Sequence, residues 1–347
     1  MKRLTIVLLL LVLVAGAAAA AWMYARVNEP FRAYSSADRL VEIPPGVGTR
    51  TIGARLIEAG VVRDEPTYRA ALWLSGDARR LKAGQYRFDR PMTAREVLAK
   101  IARGEVDVVS VTFPEGLTIG EMAAIFESAG FGPAQAFVDA AQQASLIAAV
   151  DPEAPDLEGY LFPDTYTVAR GTDAPGLVRV MVARFEQVLT PDLRAQSQAR
   201  GLSIRELVTL ASLVEKETAR PDERPLVASV YANRLRIRMG LQCDPTVIYA
   251  LQRAGAFTGN LRRDDLAFDS PYNTYRYAGL PPGPIAAPGR GSLEAAARPA
   301  EADYLYFVSR NDGSHEFART LADHNRNVQK FQVQYFRDLR RQRLLAR

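Results

Sequence analysis

The chain has 347 residues, 48% of them hydrophobic and 24% charged, with a formal net charge of +5. That length suits two domains or one domain with a large core, and the composition is that of a globular protein, not a disordered or fibrous one. The single cysteine, Cys243, excludes an intramolecular disulfide, and two histidines without an H-E-x-x-H or C-x-x-C pattern leave no metal-site signal and no implied cofactor.

Lys2 and Arg3 precede an apolar run from Leu4 to Ala25, broken only by Thr5 and small residues. As a helix, a run of about 22 residues crosses roughly 30 Å of hydrocarbon. Trp22 and Tyr24 lie at its far end, where aromatic rings favour the interface. The small residues Ala17 to Ala21 would suit a cleaved signal peptide, but the length and the aromatic end favour an uncleaved anchor. The positive-inside rule puts residues 1–3 in the cytoplasm and the bulk of the chain outside it. Residues 26–39 are polar and read as a stalk.

A mixed pattern begins at Leu40. Leu40 to Ile43 reads as a strand, Pro44-Pro45-Gly46 as a turn, and Thr51 to Glu58 as a helix stopped by Gly60. The pattern returns in Val109 to Phe113, Pro114-Glu115-Gly116, Thr118 to Ser128 and Gly130. Thr51-Ile52-Gly53 matches Thr118-Ile119-Gly120, so residues 40–62 and 109–131 are expected to be an internal duplication. Between the copies, Ala83 to Phe88 reads as a strand and Thr93 to Ala102 as a helix, with Thr93 as N-cap and Glu96 at N3. Ala134 to Ala149 and Pro175 to Leu189 read as helices. Between them, Leu157 to Tyr166 is dense in aromatics around Gly159 and Pro163; these rings either pack a hinge or offer flat faces to sugars, and packing is the commoner role.

The stretch Leu202 to Tyr249 organises the rest. Ser203 and Glu206 form a capping box, and apolar residues from Ile204 to Val214 cover an arc about 220° wide, so this helix should be mostly buried. Glu215 falls between Ile204 and Val208 on the wheel, and Glu217 between Leu210 and Leu213. Residues two apart do not face each other, so they are no paired dyad. A carboxylate on an apolar face either finds a partner, here Lys216, Arg220 or Arg224, or has its pKa raised as a general acid requires. The pattern does not separate the two glutamates. A second helix follows, then a polar loop ending in Asp244-Pro245-Thr246. Phe268 to Arg290 is a long loop of the length that tends to be functional. Tyr304 to Val308, Asn311-Asp312-Gly313 and His315 to Phe317 form a hairpin, and Leu321 to Leu345 a basic helix. The basic stretch Arg337 to Arg347 could meet nucleic acid, an anionic membrane or a wall polymer. No nucleic-acid-binding motif accompanies it, so a solvated tail is the default and no nucleic acid is expected.

Taken together, ASLVEKET (211–218), VYANRLRIRMGLQCDPTVIY (230–249), SPYNTYRYAGLPPGPIAAPG (270–289) and YLYFVSRNDGSHEF (304–317) resemble the YceG-like family, the MltG-type endolytic murein transglycosylases of bacterial envelopes. EGYLFPDTY (158–166) and KAGQYRF (82–88) fit as well. Several long motifs in order are far more specific than one short pattern. The resemblance implies an α+β protein. It has a cytoplasmic N-terminus (1–3), one inner-membrane span (4–25), a stalk (26–39) and a small LysM-like α+β domain (40–107). A connecting α+β region (108–200) and a periplasmic catalytic core (201–347) with a lysozyme-like helical active-site region follow. It implies peptidoglycan glycan strands as substrate, peptidoglycan synthases as partners, and Glu217 as the catalytic acid. Cys243 departs from the Thr or other small polar residue frequent there in relatives, with no effect expected on the chemistry.

The implied reaction breaks the β-1,4 bond between N-acetylmuramic acid and N-acetylglucosamine, with the muramic C6 hydroxyl attacking C1. No second carboxylate is needed to activate water. Asp244 is the best candidate for one, although N-capping the helix that starts at Pro245 is its simpler role. Gln242, Asn273, Thr274, Tyr275 and Tyr249 have the amides, hydroxyls and rings that suit N-acetyl groups and glycan hydroxyls; each can equally serve loop or core structure. A non-catalytic wall-binding scaffold and a water-using muramidase are the alternatives.

Overall fold

The computed structural model describes residues 2–345. Met1, Ala346 and Arg347, the outer ends of the expected cytoplasmic N-terminus and basic tail, lie outside the described residues. The chain divides into two compact units, one of residues 1–110 and 167–172, the other of residues 111–166 and everything from Asp173 onward.

The first unit begins with α1 (Lys2–Asn28), uncovered over its apolar length and long enough to cross a membrane. Its last turn is different. Val27 is fully buried and joins the core of the unit. The segment read as a stalk is tied down as well: Phe31 pairs with Met92, the Ala33 amide donates to the Gly60 carbonyl, and the Tyr34 hydroxyl donates to the Phe88 carbonyl. Then come β1 (Arg39–Ile43), α2 (Thr49–Glu58), α3 (Glu65–Ser75), β2 (Gly84–Phe88) and α4 (Ala94–Arg103). β1 and β2 are antiparallel, with Val41 opposite Tyr86. Val41, Ile43, Tyr86 and Phe88 point into the core, as the period of two requires. Leu56, Ala71, Val97, Leu98 and Ile101 from the helices close over them. The Thr93–Glu96 capping box is present on α4.

The order strand, helix, helix, strand, helix is then met again: β3 (Val108–Thr112), α5 (Ile119–Ser128), α6 (Ala134–Ala141), β4 (Thr165–Ala169) and α7 (Ala174–Val188). β3 and β4 pair in their own two-stranded sheet. The expected duplication is therefore present as a strand–turn–helix layout, but its register differs from the matching Thr-Ile-Gly strings. Gly46 and Gly116 take the same left-handed turn, and Gly60 and Gly130 the same left-handed step after the helix. Both pairs are 70 residues apart, which puts Ile52 opposite Met122 and Leu56 opposite Phe126, all four buried. The matching strings sit one helical turn out of this alignment, since Thr118 is the N-cap of α5 whereas Thr51 lies inside α2.

The second unit continues with α8 (Pro191–Ala199), α9 (Ile204–Glu217), α10 (Arg224–Arg236), α11 (Asp244–Arg253) and α12 (Arg290–Ala297). The β5 (Tyr306–Ser309) and β6 (His315–Ala318) hairpin, α13 (Leu321–Val328) and α14 (Tyr335–Leu345) complete it, with a π-helical turn over Gln329–Gln334 between the last two helices. α9 is its centre, packed by α8, α10, α11 and α12, with Leu207, Val208, Leu210, Ala211, Leu213 and Val214 all at 0% exposure. α6 stops at Ala141, short of the expected Ala149, because the Ala141 carbonyl accepts the distant Leu157 amide (2.9 Å) in place of a continuing helical bond.

Candidate active site

The last residue of α9 is Glu217; Thr218 follows in an extended conformation. A carboxylate at the C-terminal end of a helix faces unpaired carbonyls and the negative end of the helix dipole. The Tyr231 hydroxyl, from the middle of α10, donates to Glu217 Oε1 at 2.7 Å. The Cys243 thiol lies against the same carboxyl. Burial pushes the Glu217 carboxyl above its ordinary value; the Tyr231 and Cys243 contacts oppose this, and the charge of Asp244 adds to it. The residue as a whole is only partly buried, so it keeps a face toward solvent. Burial and the neighbouring acid push the Tyr231 hydroxyl and the Cys243 thiol well up, so both stand neutral beside Glu217.

The frame around this carboxyl is tightly built. Tyr231 is 1% exposed and meets the Phe307 ring edge-on at 6.1 Å. Arg234, one turn on, donates to the Leu305 carbonyl (2.7 Å) and the Leu241 carbonyl (2.7 Å), tying α10 to both the hairpin and the loop before α11. Asn233 donates to the Ala302 and Tyr304 carbonyls. Glu223, near the start of α10, receives the His315 backbone amide at 2.9 Å and its Nδ1 at 2.7 Å.

Glu215, two residues earlier, meets a different environment. Its Oε1 accepts from Arg224 at 3.2 Å and its Oε2 from the Gly289 amide at 2.9 Å. The Arg224 ion pair is one of the partners the helix wheel allowed, and the long loop adds the second.

Of the other candidate residues, Gln242, Asp244 and Tyr275 are exposed. Gln242 takes a left-handed conformation (φ 51°) and its amide donates to the Thr274 carbonyl. The Tyr275 hydroxyl donates to Asp244 Oδ1 at 2.5 Å. Asp244 is the first residue of α11, with Cys243 at the cap position, and its carboxylate bonds Tyr275 instead of capping the helix. Asn273, Thr274 and Tyr249 are buried. Asn273 spends its amide on the Leu266 and Phe268 carbonyls and accepts the Tyr275 amide. Thr274 bridges the Cys243 amide and the Thr246 hydroxyl. Tyr249 donates to Glu158 Oε2 at 3.2 Å. Tyr231 and the Glu223–His315 pair escape sequence reading: Tyr231 reaches Glu217 from the next helix, 14 residues on, and His315 lies 92 residues beyond Glu223. Glu158 is a further buried acid, held by Tyr249 and the Ile119 amide (3.1 Å); burial first and Asp156 second push its carboxyl up to about 8.

With this geometry in hand, the comparisons decide the family. The chain matches the YceG-like family over residues 41–330. It belongs to that family. It is 30% identical to an endolytic murein transglycosylase of Bacillus subtilis over 90% of each chain. It is 31% identical to one from Streptococcus pneumoniae over 86% of this chain and 59% of that protein. A crystal structure of a yceG-like protein from Listeria monocytogenes superposes with a TM-score of 0.57 at 31% identity, covering 84% of this chain and 99% of that one.

Proposed function

We propose that this member of the YceG-like family is an endolytic murein transglycosylase. It cuts the bond between N-acetylmuramic acid and N-acetylglucosamine inside glycan strands and leaves 1,6-anhydro ends. The observation that carries the reading is the Glu217 carboxyl: raised by burial, in contact with the neutral Tyr231 hydroxyl and Cys243 thiol, and carried by a residue that as a whole stays partly exposed. In its protonated form it gives its proton to the glycosidic oxygen as the leaving sugar departs. As carboxylate it then takes the proton of the muramic C6 hydroxyl while that oxygen closes onto C1. One carboxyl does both jobs because the attacking hydroxyl is already part of the sugar. A hydrolase would need a second carboxylate to activate water. Asp244, the candidate for it, is bound to the Tyr275 hydroxyl.

In this reading Gln242, Asp244 and Tyr275 face the glycan, while Asn273, Thr274 and Tyr249 hold the walls of the site. α1 anchors the chain in the inner membrane as a single span, with residues 1–3 cytoplasmic and both units periplasmic. The β1–α2–α3–β2 module serves as the LysM-like wall-binding unit, and the helices around α9 as the lysozyme-like region. Anchoring near sites of strand growth makes peptidoglycan synthases the natural partners, with the enzyme ending nascent strands.

The test is the mass of the products from purified glycan strands. Anhydro ends are expected. Reducing ends would identify a water-using muramidase, and intact strands a wall-binding scaffold; either overturns the proposal.

A further inference from the structure

α3 leaves an unusual face uncovered. Thr67, Tyr68 and Ala71 point into the core. Trp73 points directly away from it and is 82% exposed, with Leu74 beside it at 39%. A tryptophan so bare on a short helix calls for a surface to cover it.

The position of α3 along α1 says which surface. The start of α3 sits at the end of α1: Arg63 pairs with Glu29 at 2.9 Å, and Arg26 bonds the Asp64 carboxylate and the Thr67 hydroxyl. The two helices pack side by side, and Met23 of α1 and Ala70 of α3 meet the same core cluster. α3 therefore runs back along α1, toward the apolar span. Thr67, Ala70 and Leu74 lie on one flank at i, i+3 and i+7, the flank that Arg26 touches at Thr67. From Thr67 to Trp73 the helix advances roughly 9 Å. The same advance along α1 from Arg26 passes Trp22 and reaches the alanines before it. By this advance Trp73 and Leu74 come within about one helical turn of Trp22, the aromatic residue at the end of the span, on its apolar side. Arg79, Arg80 and Lys82 follow at once, all exposed, as in interfacial segments that meet anionic headgroups.

We infer that the C-terminal end of α3 is a second membrane contact, with Trp73 and Leu74 seated in the interface of the outer leaflet beside α1. The inference rests on the reading of α1 as a membrane span. It makes the first unit a body seated on the bilayer, not one swinging from a tether. The Asp64 carboxylate that receives Arg26 is held down at about 2, so the clasp between α1 and α3 stays charged at any physiological pH. The exposed rings and the basic cluster do not by themselves choose between lipid and a second copy of the chain; the register along α1 does.

The chain contains two tryptophans, Trp22 and Trp73, which makes the test direct. Full-length Trp22→Phe and Trp73→Phe proteins are placed in vesicles of mixed zwitterionic and anionic lipid, with and without lipids brominated near the headgroup end of the acyl chain. In the Trp73→Phe protein, Trp22 reports the span. In the Trp22→Phe protein, Trp73 should emit to the blue of exposed tryptophan, lose most of its emission to brominated lipid, and be shielded from aqueous acrylamide. If Trp22 is quenched by brominated lipid while Trp73 stays red-emitting and open to acrylamide, the contact does not exist. Blue emission from Trp73 that brominated lipid leaves untouched means that protein covers it, and also overturns the inference. If Trp22 itself is untouched, the span reading fails and the inference falls with it.

Discussion

Glu215 and Glu217 lie two residues apart in the last turn of α9, yet the regions they enter have opposite characters. Glu215 meets a guanidinium and a backbone amide; its charge is balanced by Arg224 and fixed by Gly289. Glu217 meets a phenol and a thiol, both neutral, at the negative end of the same helix. Burial alone does not make an acid. The kind of partner decides whether a buried carboxyl stays charged and structural or holds a proton it can give. Glu158 adds a second condition. It too lacks a cation in hydrogen-bond contact and is pushed up to about 8, but both of its oxygens accept bonds and it is 8% exposed. In the function proposed above, a raised carboxyl on a residue buried as a whole, as Glu158 is, belongs to the architecture.

The sharpest way to break this comparison is Glu217→Gln. The amide keeps the shape and the Tyr231 bond but supplies no proton, so anhydro-product formation should fall roughly 10²- to 10⁴-fold with melting temperature nearly unchanged. A folded variant that still makes anhydro ends near the parent rate would move the acid elsewhere. In the parent, the first step needs the protonated form. Activity should therefore persist above the pH at which an ordinary carboxyl has ionised, and fall only as pH passes the raised value of Glu217.

Glu158→Gln tests the second condition through stability. Between the ordinary 4.5 and about 8 the folded state keeps a proton that the unfolded chain releases. Stability of the parent should thus decline as pH rises through that window, by up to about 1.4 kcal/mol per pH unit, and level off above it. The glutamine variant should lose most of that slope, the rest belonging to the raised Glu217 carboxyl, while keeping activity; urea unfolding at a series of pH values measures it. An undiminished slope would place the titration elsewhere.

Glu215→Gln removes a buried charge from Arg224, which retains Glu115 at 3.1 Å. A loss of about 2 kcal/mol is expected, with catalysis by the folded fraction largely intact. A stable but inactive Glu215→Gln would reverse the two assignments. The smallest effect belongs to Tyr231→Phe. Loss of its bond should cost about 1 kcal/mol in transition-state stabilisation, roughly fivefold in rate. Because that bond favours the ionised carboxylate, its loss should also move the high-pH fall in activity upward. A purely structural tyrosine would lower the amount of folded enzyme and leave the pH profile in place.

Much of the backbone was legible because its signals are local. The capping boxes at Thr93 and Ser203 each pair residues three apart, and both form. The buried arc of α9 follows from its wheel. The hairpin at 304–317 follows from its turn, shifted slightly to Tyr306–Ser309 and His315–Ala318. Four elements have no such mark in the reading above: α3, β4, α8 and α12. β4 hides in the aromatic-rich run, where Thr165 to Ala169 alternates too briefly to stand out. The site was half legible. The wheel placed both glutamates on the buried side of α9. It could not separate them, because what separates them is Arg224 and Tyr231 on α10, Cys243 before α11 and Gly289 before α12, brought together by folding.

The ties that hold α10 in place have a consequence in time. Glu223 accepts from His315, Asn233 donates to the carbonyls of residues 302 and 304, and Arg234 donates to that of Leu305, all roughly 70 to 90 residues further on. A chain emerging N-terminus first exposes Glu217 long before it delivers the hairpin that steadies Tyr231. Throughout that interval the acid lacks its fixed partner. The surroundings of Glu217 are complete only when the hairpin arrives, so a chain truncated before residue 302 lacks the ties that hold α10 and its Tyr231 in place.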